Sequence, residues 1–218
     1  MRLKFLNTST VVAAQEHNPT ILHPAFLESR KIIPPEWVAS GVICTPPVAV
    51  VKYNENGFVI TVDGGKLQVV DNNPGEHPEN SLAPQVASKY ISELPHVRYT
   101  AVGLNFAGFV EIDGPERRVL ERFLKPDPSW QSRFSPKAVG LKFVFPLTNG
   151  FLHLSVDAGS VQRENDEKMS GILVNANCHF DLSNGGASLD QAKNILAQFA
   201  ETYDIAQGCI RSVAGVEN

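Results

Sequence analysis

Two stretches of this chain carry chemically capable side chains at every second position: His153, Ser155 and Asp157 in one, and Asn175, Asn177, His179 and Asp181 in the other. Alternation with a period of two belongs to a strand, where every second side chain points to the same face. Leu152, Leu154 and Val156 fill the opposite face of the first stretch, and Ile172, Val174, Ala176, Cys178, Phe180 and Leu182 that of the second. If the two strands pair, imidazoles, carboxylates, amides and a hydroxyl share one sheet surface. His153, Asp157, His179 and Asp181 are the candidate catalytic groups there, able to carry protons in general acid–base chemistry. Ser155, Asn175 and Asn177 are candidate binding groups, and imidazole with carboxylate also suits a divalent metal. This set allows a hydrolase-like or nuclease-like reaction, or a small ligand held on the sheet.

A plainer reading of the pattern is better supported. An antiparallel sheet covered by helices on one side needs a polar opposite face, and these residue types satisfy that need without doing chemistry. Cys178 and His179 are neighbours on a strand, so they point apart and cannot act as nucleophile and base for each other. The chain contains no Gly-x-Ser-x-Gly, His-Glu-x-x-His or kinase-like set. Its three cysteines, Cys44, Cys178 and Cys209, have no Cys-x-x-Cys spacing, and His17, His23 and Cys44 match no zinc pattern. No metal and no cofactor is expected. The segment from Ser183 to Ser188 leads into a helix N-terminus, where anions can bind, but it lacks the glycine spacing of a phosphate loop. Arg117, Arg118, Arg122 and Lys125 interleave with Glu116 and Glu121 as on a solvated helix face.

The elements that must position these residues are legible from punctuation and periodicity. A first strand runs from Leu3 to Ala14, rich in β-branched residues. An irregular arm follows from Thr20 to Trp37, whose large apolar residues, Phe26 and Trp37 among them, must be buried along the body of the domain or against a partner. Strands are expected at Val48 to Tyr53, Phe58 to Val62 and Leu67 to Val70, then a helix at Leu82 to Leu94 and a strand at Tyr99 to Ile112. A short helix at Pro115 to Leu124 and a loop reaching Pro136 precede strands at Val139 to Phe145, Phe151 to Val156 and Gly171 to Leu182. A last helix runs from Leu189 to about Ala206, with Ser188 and Gln191 as a capping box.

The chain also echoes itself. Asn56-Gly57-Phe58 leads through Thr61-Val62-Asp63-Gly64-Gly65 to Gln68, and Asn149-Gly150-Phe151 leads through Ser155-Val156-Asp157-Ala158-Gly159 to Gln162, with one residue inserted between the copies. A one-residue shift exchanges the faces of a strand unless a bulge absorbs it. So either a bulge lies near His153, or the second half has turned its polar side outward.

These readings combine into one α+β domain over residues 1–218, a mainly antiparallel sheet with helices packed on one face. Residues 1–125 and 137–218 are candidate pseudo-halves of β-β-β-α layout. A net charge of −4 gives no general attraction for polyanions, so nucleic acid is not an expected partner. No apolar run approaches the roughly 20 residues of a membrane span, and the scattered cysteines suit a reducing, cytoplasmic setting. The leading expectation is a non-enzymatic binding or assembly protein, acting through a protein partner or as a homo-oligomer, with Phe26 and Trp37 as contact residues. The alternatives are the enzyme and the small-ligand binder built around His153 and His179.

Overall fold

The β-branched residues Thr8, Thr10, Val11 and Val12 hold the first stretch extended as β1 (Arg2–Ala14). In the computed structural model, which describes residues 2–111, 140–162, 168–182 and 188–216, β1 is followed by α1 (Pro24–Ser29) and the strands β2 (Gly41–Cys44), β3 (Val48–Tyr53), β4 (Phe58–Asp63) and β5 (Lys66–Asp71). Then come α2 (Ala83–Ser92), β6 (Tyr99–Glu111), β7 (Gly140–Leu147), β8 (Gly150–Gln162), β9 (Lys168–Asp181), α3 (Ser188–Ala197) and α4 (Phe199–Ala214). The expected helix at Pro115 to Leu124, the loop to Pro136 and the segment Ser183 to Ala187 lie outside the described residues.

The nine strands form one antiparallel sheet in the order β2-β3-β4-β5-β1-β6-β9-β8-β7. An α+β fold of antiparallel sheet is therefore present as expected. β1 and β6 pair at the middle, and a meander extends the sheet on either side: β5, β4, β3 and the short β2 beyond β1, and β9, β8 and β7 beyond β6. The long helices cover one face. Helix α2 packs on β1 and β5, α3 on β6 and α2, and α4 on β6 and β9. Val12, Leu67, Val69, Leu104, Phe106, Ala176 and Cys178 point into this layer and are fully buried.

Three features depart from the expected element list. β2 is a short extra edge strand, hidden in the sequence because Thr45-Pro46-Pro47 follows it and its side chains show no inside–outside alternation. β8 continues through Asp157-Ala158-Gly159 to Gln162, where the echo of the Asp63-Gly64-Gly65 turn suggested an end. The last helix is two helices, broken at Gln198, which takes φ −87° and ψ 15°. Its amide bonds back to Ile195 as a tight turn before α4 sets off on its own course.

The arm resolves one alternative posed by its sequence. Leu22, Leu27, Ile32 and Ile33 are buried in the chain's own core, and Trp37, 6% exposed, packs its ring 4.5 Å from Phe58 and 5.4 Å from Tyr53. Phe26 is half-buried, edge-on to Tyr90 at 5.9 Å. These apolar side chains lie along the body of the domain, so Trp37 is a packing residue and presents no contact surface.

Candidate functional site

The question of the exchanged faces is settled at two turns. In the first hairpin Gly57 takes the left-handed conformation, φ 75°, outside the strands, and Phe58 is the first strand residue, paired with Tyr53. In the second, the left-handed residue is Asn149, φ 64°, and Gly150 is already in the strand opposite Leu147. Phe151 therefore occupies the next position and points the other way. Phe58, Ile60 and Val62 face the helices and are buried, whereas Leu152, Leu154 and Val156 do so in β8. The pairings of β8 with β7 and with β9 run without a register shift. There is no bulge near His153; the second half has its polar side turned outward.

On that outward side, the face without helices among the described residues, the strand register sets the neighbours. His153 lies opposite Asn177, Ser155 opposite Asn175, and Phe151 opposite His179. His153 and His179 are diagonal neighbours, a relation that places Cα atoms about 7–8 Å apart. His179 Nε2 and Asp181 Oδ1 are 3.2 Å apart, with 40% and 82% of their side chains exposed. Asp157 stands away from this group. It faces Leu173, eight positions along β9 from Asp181, a separation of roughly 27 Å along a strand. The four candidate catalytic residues share a face but not a site, since His153, His179 and Asp181 gather at one end of the β8–β9 pair and Asp157 lies near its middle.

Between β9 and β5 the face holds a feature that the candidate residues only border. A recess of about 460 Å³ opens over β5, β1, β6 and β9. Its floor is low because small residues occupy it: Ala13 on β1, and Ala101, Gly103 and Ala107 on β6. Around them stand carboxamides: Asn7, Gln68, Asn105, Asn175 and Asn177. Asn177 donates through Nδ2 to Asn105 Oδ1, and Asn105 Nδ2 donates in turn to Ser9 Oγ at 3.2 Å. This row crosses β9, β6 and β1 and fixes the orientation of its amides. Asn7, Gln68 and Asn175 make no side-chain hydrogen bond among the described residues, so their donors and acceptors are available to a ligand. Lys66 stands at the β5 rim and His179 at the β9 rim.

The other reactive side chains fall elsewhere. Cys178 is fully buried on the helix side, where burial and then the neighbouring Cys209 push its thiol up to about 12, leaving it protonated and unreactive. His17 is buried beside Tyr99, and Nδ1 of His23 accepts the Ala25 amide at the start of α1. Cys44 is exposed on β2. Among the described residues no three His, Cys, Asp or Glu side chains come together as a metal site, and no helix is long and apolar enough to cross a membrane.

Sequence reasoning found the β9 wall of the recess and missed its centre. The signal was present in β6, where Ala101, Gly103, Asn105 and Ala107 alternate with Val102, Leu104 and Phe106. Small and polar residues facing away from a core mark a hollow. In β1 the signal was ambiguous, because Thr8 and Thr10 are fully buried on the helix side while Ser9 and Asn7 line the recess. No protein-family model matches this sequence, and no curated protein matches it. The reading of function rests on this geometry.

Proposed function

We propose that this chain is a non-enzymatic binding protein whose binding surface is the recess on the open face of β5, β1, β6 and β9. The observation that carries the reading is the ring of carboxamides over a floor of alanine and glycine. A volume of about 460 Å³ lies in the range of small-molecule sites. Each carboxamide both donates and accepts, and none is charged, so the chemistry fits a small, uncharged, hydrogen-bonding molecule. Its three free cysteines, one of them exposed, accord with a reducing, cytosolic setting for this work.

An enzyme on this face receives less support. Asp157 is remote from the imidazoles, and the His179–Asp181 pair is open to water, where a carboxylate orients and polarises an imidazole weakly. Side-chain amide resonances of the labelled full chain, recorded against a library of neutral polar fragments, test the reading. Shifts at Asn7, Gln68, Asn175 and Asn177 are expected, and their loss in Asn105→Leu. A library that moves none of these resonances, or only resonances away from the recess, removes the basis for it.

A further inference from the structure

The two ends of the sheet are guarded differently. An edge strand exposes N–H and C=O groups that another strand can pair with, and proteins usually block this with charges, proline or shortness. The β7 edge carries Lys142 and Pro146 within its eight residues. The β2 edge is kept short, four residues before Thr45-Pro46-Pro47, but has no charge to repel a partner: from Trp37 to Val51, between Glu36 and Lys52, the sequence contains no Asp, Glu, Lys or Arg. Elsewhere about one residue in five is charged, 42 in the whole chain, as 19 basic plus 23 acidic. Val38, Val42 and Ile43 on this edge are 74%, 46% and 52% exposed, three of the seven exposed large apolar residues among those described. β2 pairs only with β3 among the described residues.

We propose that β2 is a self-association edge, on which a second copy of this chain docks its own β2 antiparallel. A two-fold contact sets a surface against itself, so any charge within it meets a like charge. An uncharged strip is the part of a chain of net charge −4 that two copies can bring together without repulsion. The backbone groups of the strand specify the occupant as another strand, and the exposed Val42 and Ile43 supply apolar area on both faces of the junction. Because the β7 edge is guarded, pairing at β2 closes after two copies and does not propagate into a fibre. The recess begins three strands inward from β2, at β5, and stays open in such a dimer. With only four residues in the strand, the contact falls in the weak class of interfaces.

Light scattering of the full chain across the micromolar range tests this. The mass is expected to rise with concentration from 23.8 kDa toward twice that value. Ile43→Lys should hold it at the monomer, while Val144→Lys, on the opposite edge, should leave the rise unchanged. A nitroxide on exposed Cys44 in a Cys209→Ser background gives a readout that does not depend on the lysine variant folding. Any antiparallel register of β2 keeps the two Cys44 Cα atoms within roughly 20 Å. A constant monomer mass overturns the proposal, and so does a dimer indifferent to Ile43→Lys or one without that short inter-label distance.

Discussion

The β3–β4–β5 meander and the β7–β8–β9 meander occupy matching places on either side of the β1–β6 pair, and they carry similar words in the sequence, yet they send those words to opposite faces. Phe58 is 6% exposed and packs at a tilt against Trp37; Phe151, at the same place in the echo, is 49% exposed. The difference comes from which residue adopts the left-handed turn conformation. With Gly57 outside the strand the following phenylalanine turns inward, and with Gly150 inside it the phenylalanine turns outward. A turn shifted by one residue thus exchanges the two faces of the strand that follows it, without a bulge and with little change of composition. The lesson is that similar words in a sequence do not fix which face a strand presents, because the residue that takes the turn sets the phase of everything after it.

Truncation at the echo positions should show the largest asymmetry. Phe58→Ala is expected to cost about 3–5 kcal/mol, against less than ~1 kcal/mol for Phe151→Ala, both read from urea unfolding midpoints. Equal costs would mean that the two phenylalanines share one environment, contrary to the register. Next in size come the turns themselves. In Gly57→Ala a Cβ would lie 3.0 Å from the Asn73 Cβ at φ 75°, so a loss of about 1–2 kcal/mol is expected. Asn149→Gly should move stability by less than ~0.5 kcal/mol, since glycine accepts the same conformation.

The gentlest effect concerns acid. His17 has its backbone N–H on the Gly64 carbonyl of the β4–β5 turn, its Nε2 donating to the Val12 carbonyl at 3.3 Å, and its buried Nδ1 without a partner among the described residues. Burial lowers its pKa below the ordinary 6.5, although the Val12 bond and Asp63 pull the other way. The unfolded chain takes up a proton near 6.5 and the folded one resists it, so stability is full above that pH and declines as pH falls below it. Unfolding midpoints measured between neutral and mildly acidic pH should therefore slope more in the wild type than in His17→Gln. Parallel slopes would remove His17 from the account.

Much of the sheet was legible because its strands are bounded by residues with a physical reason to be there. β3 begins and ends where the apolar run and Asn54-Glu55-Asn56-Gly57 place it, and β1, β4 and β6 fall within a residue of expectation. β2 was not legible, since a strand exposed on both faces has no alternation to read. The break at Gln198 was not legible either, because the stripe of Ala192, Leu196, Phe199 and Tyr203 stays buried across it while the backbone turns. For the site, alternation identified the outward side of β8 and β9 correctly as polar. What it could not supply was pairing over long sequence distances, which brings Asn105 and Ser9 to Asn177.

The row Asn177–Asn105–Ser9 joins residues 72 and 96 positions apart in the sequence. β1, at one end of this row and at the middle of the sheet, emerges from the ribosome before either of the strands that flank it, β5 and β6, has been made. While residues 15–71 are synthesised, at about 5–20 residues per second, this extended segment has neither of its neighbouring strands to pair with. Its Phe5 and Val12 side chains, buried in the finished core, have no core to enter until those strands arrive.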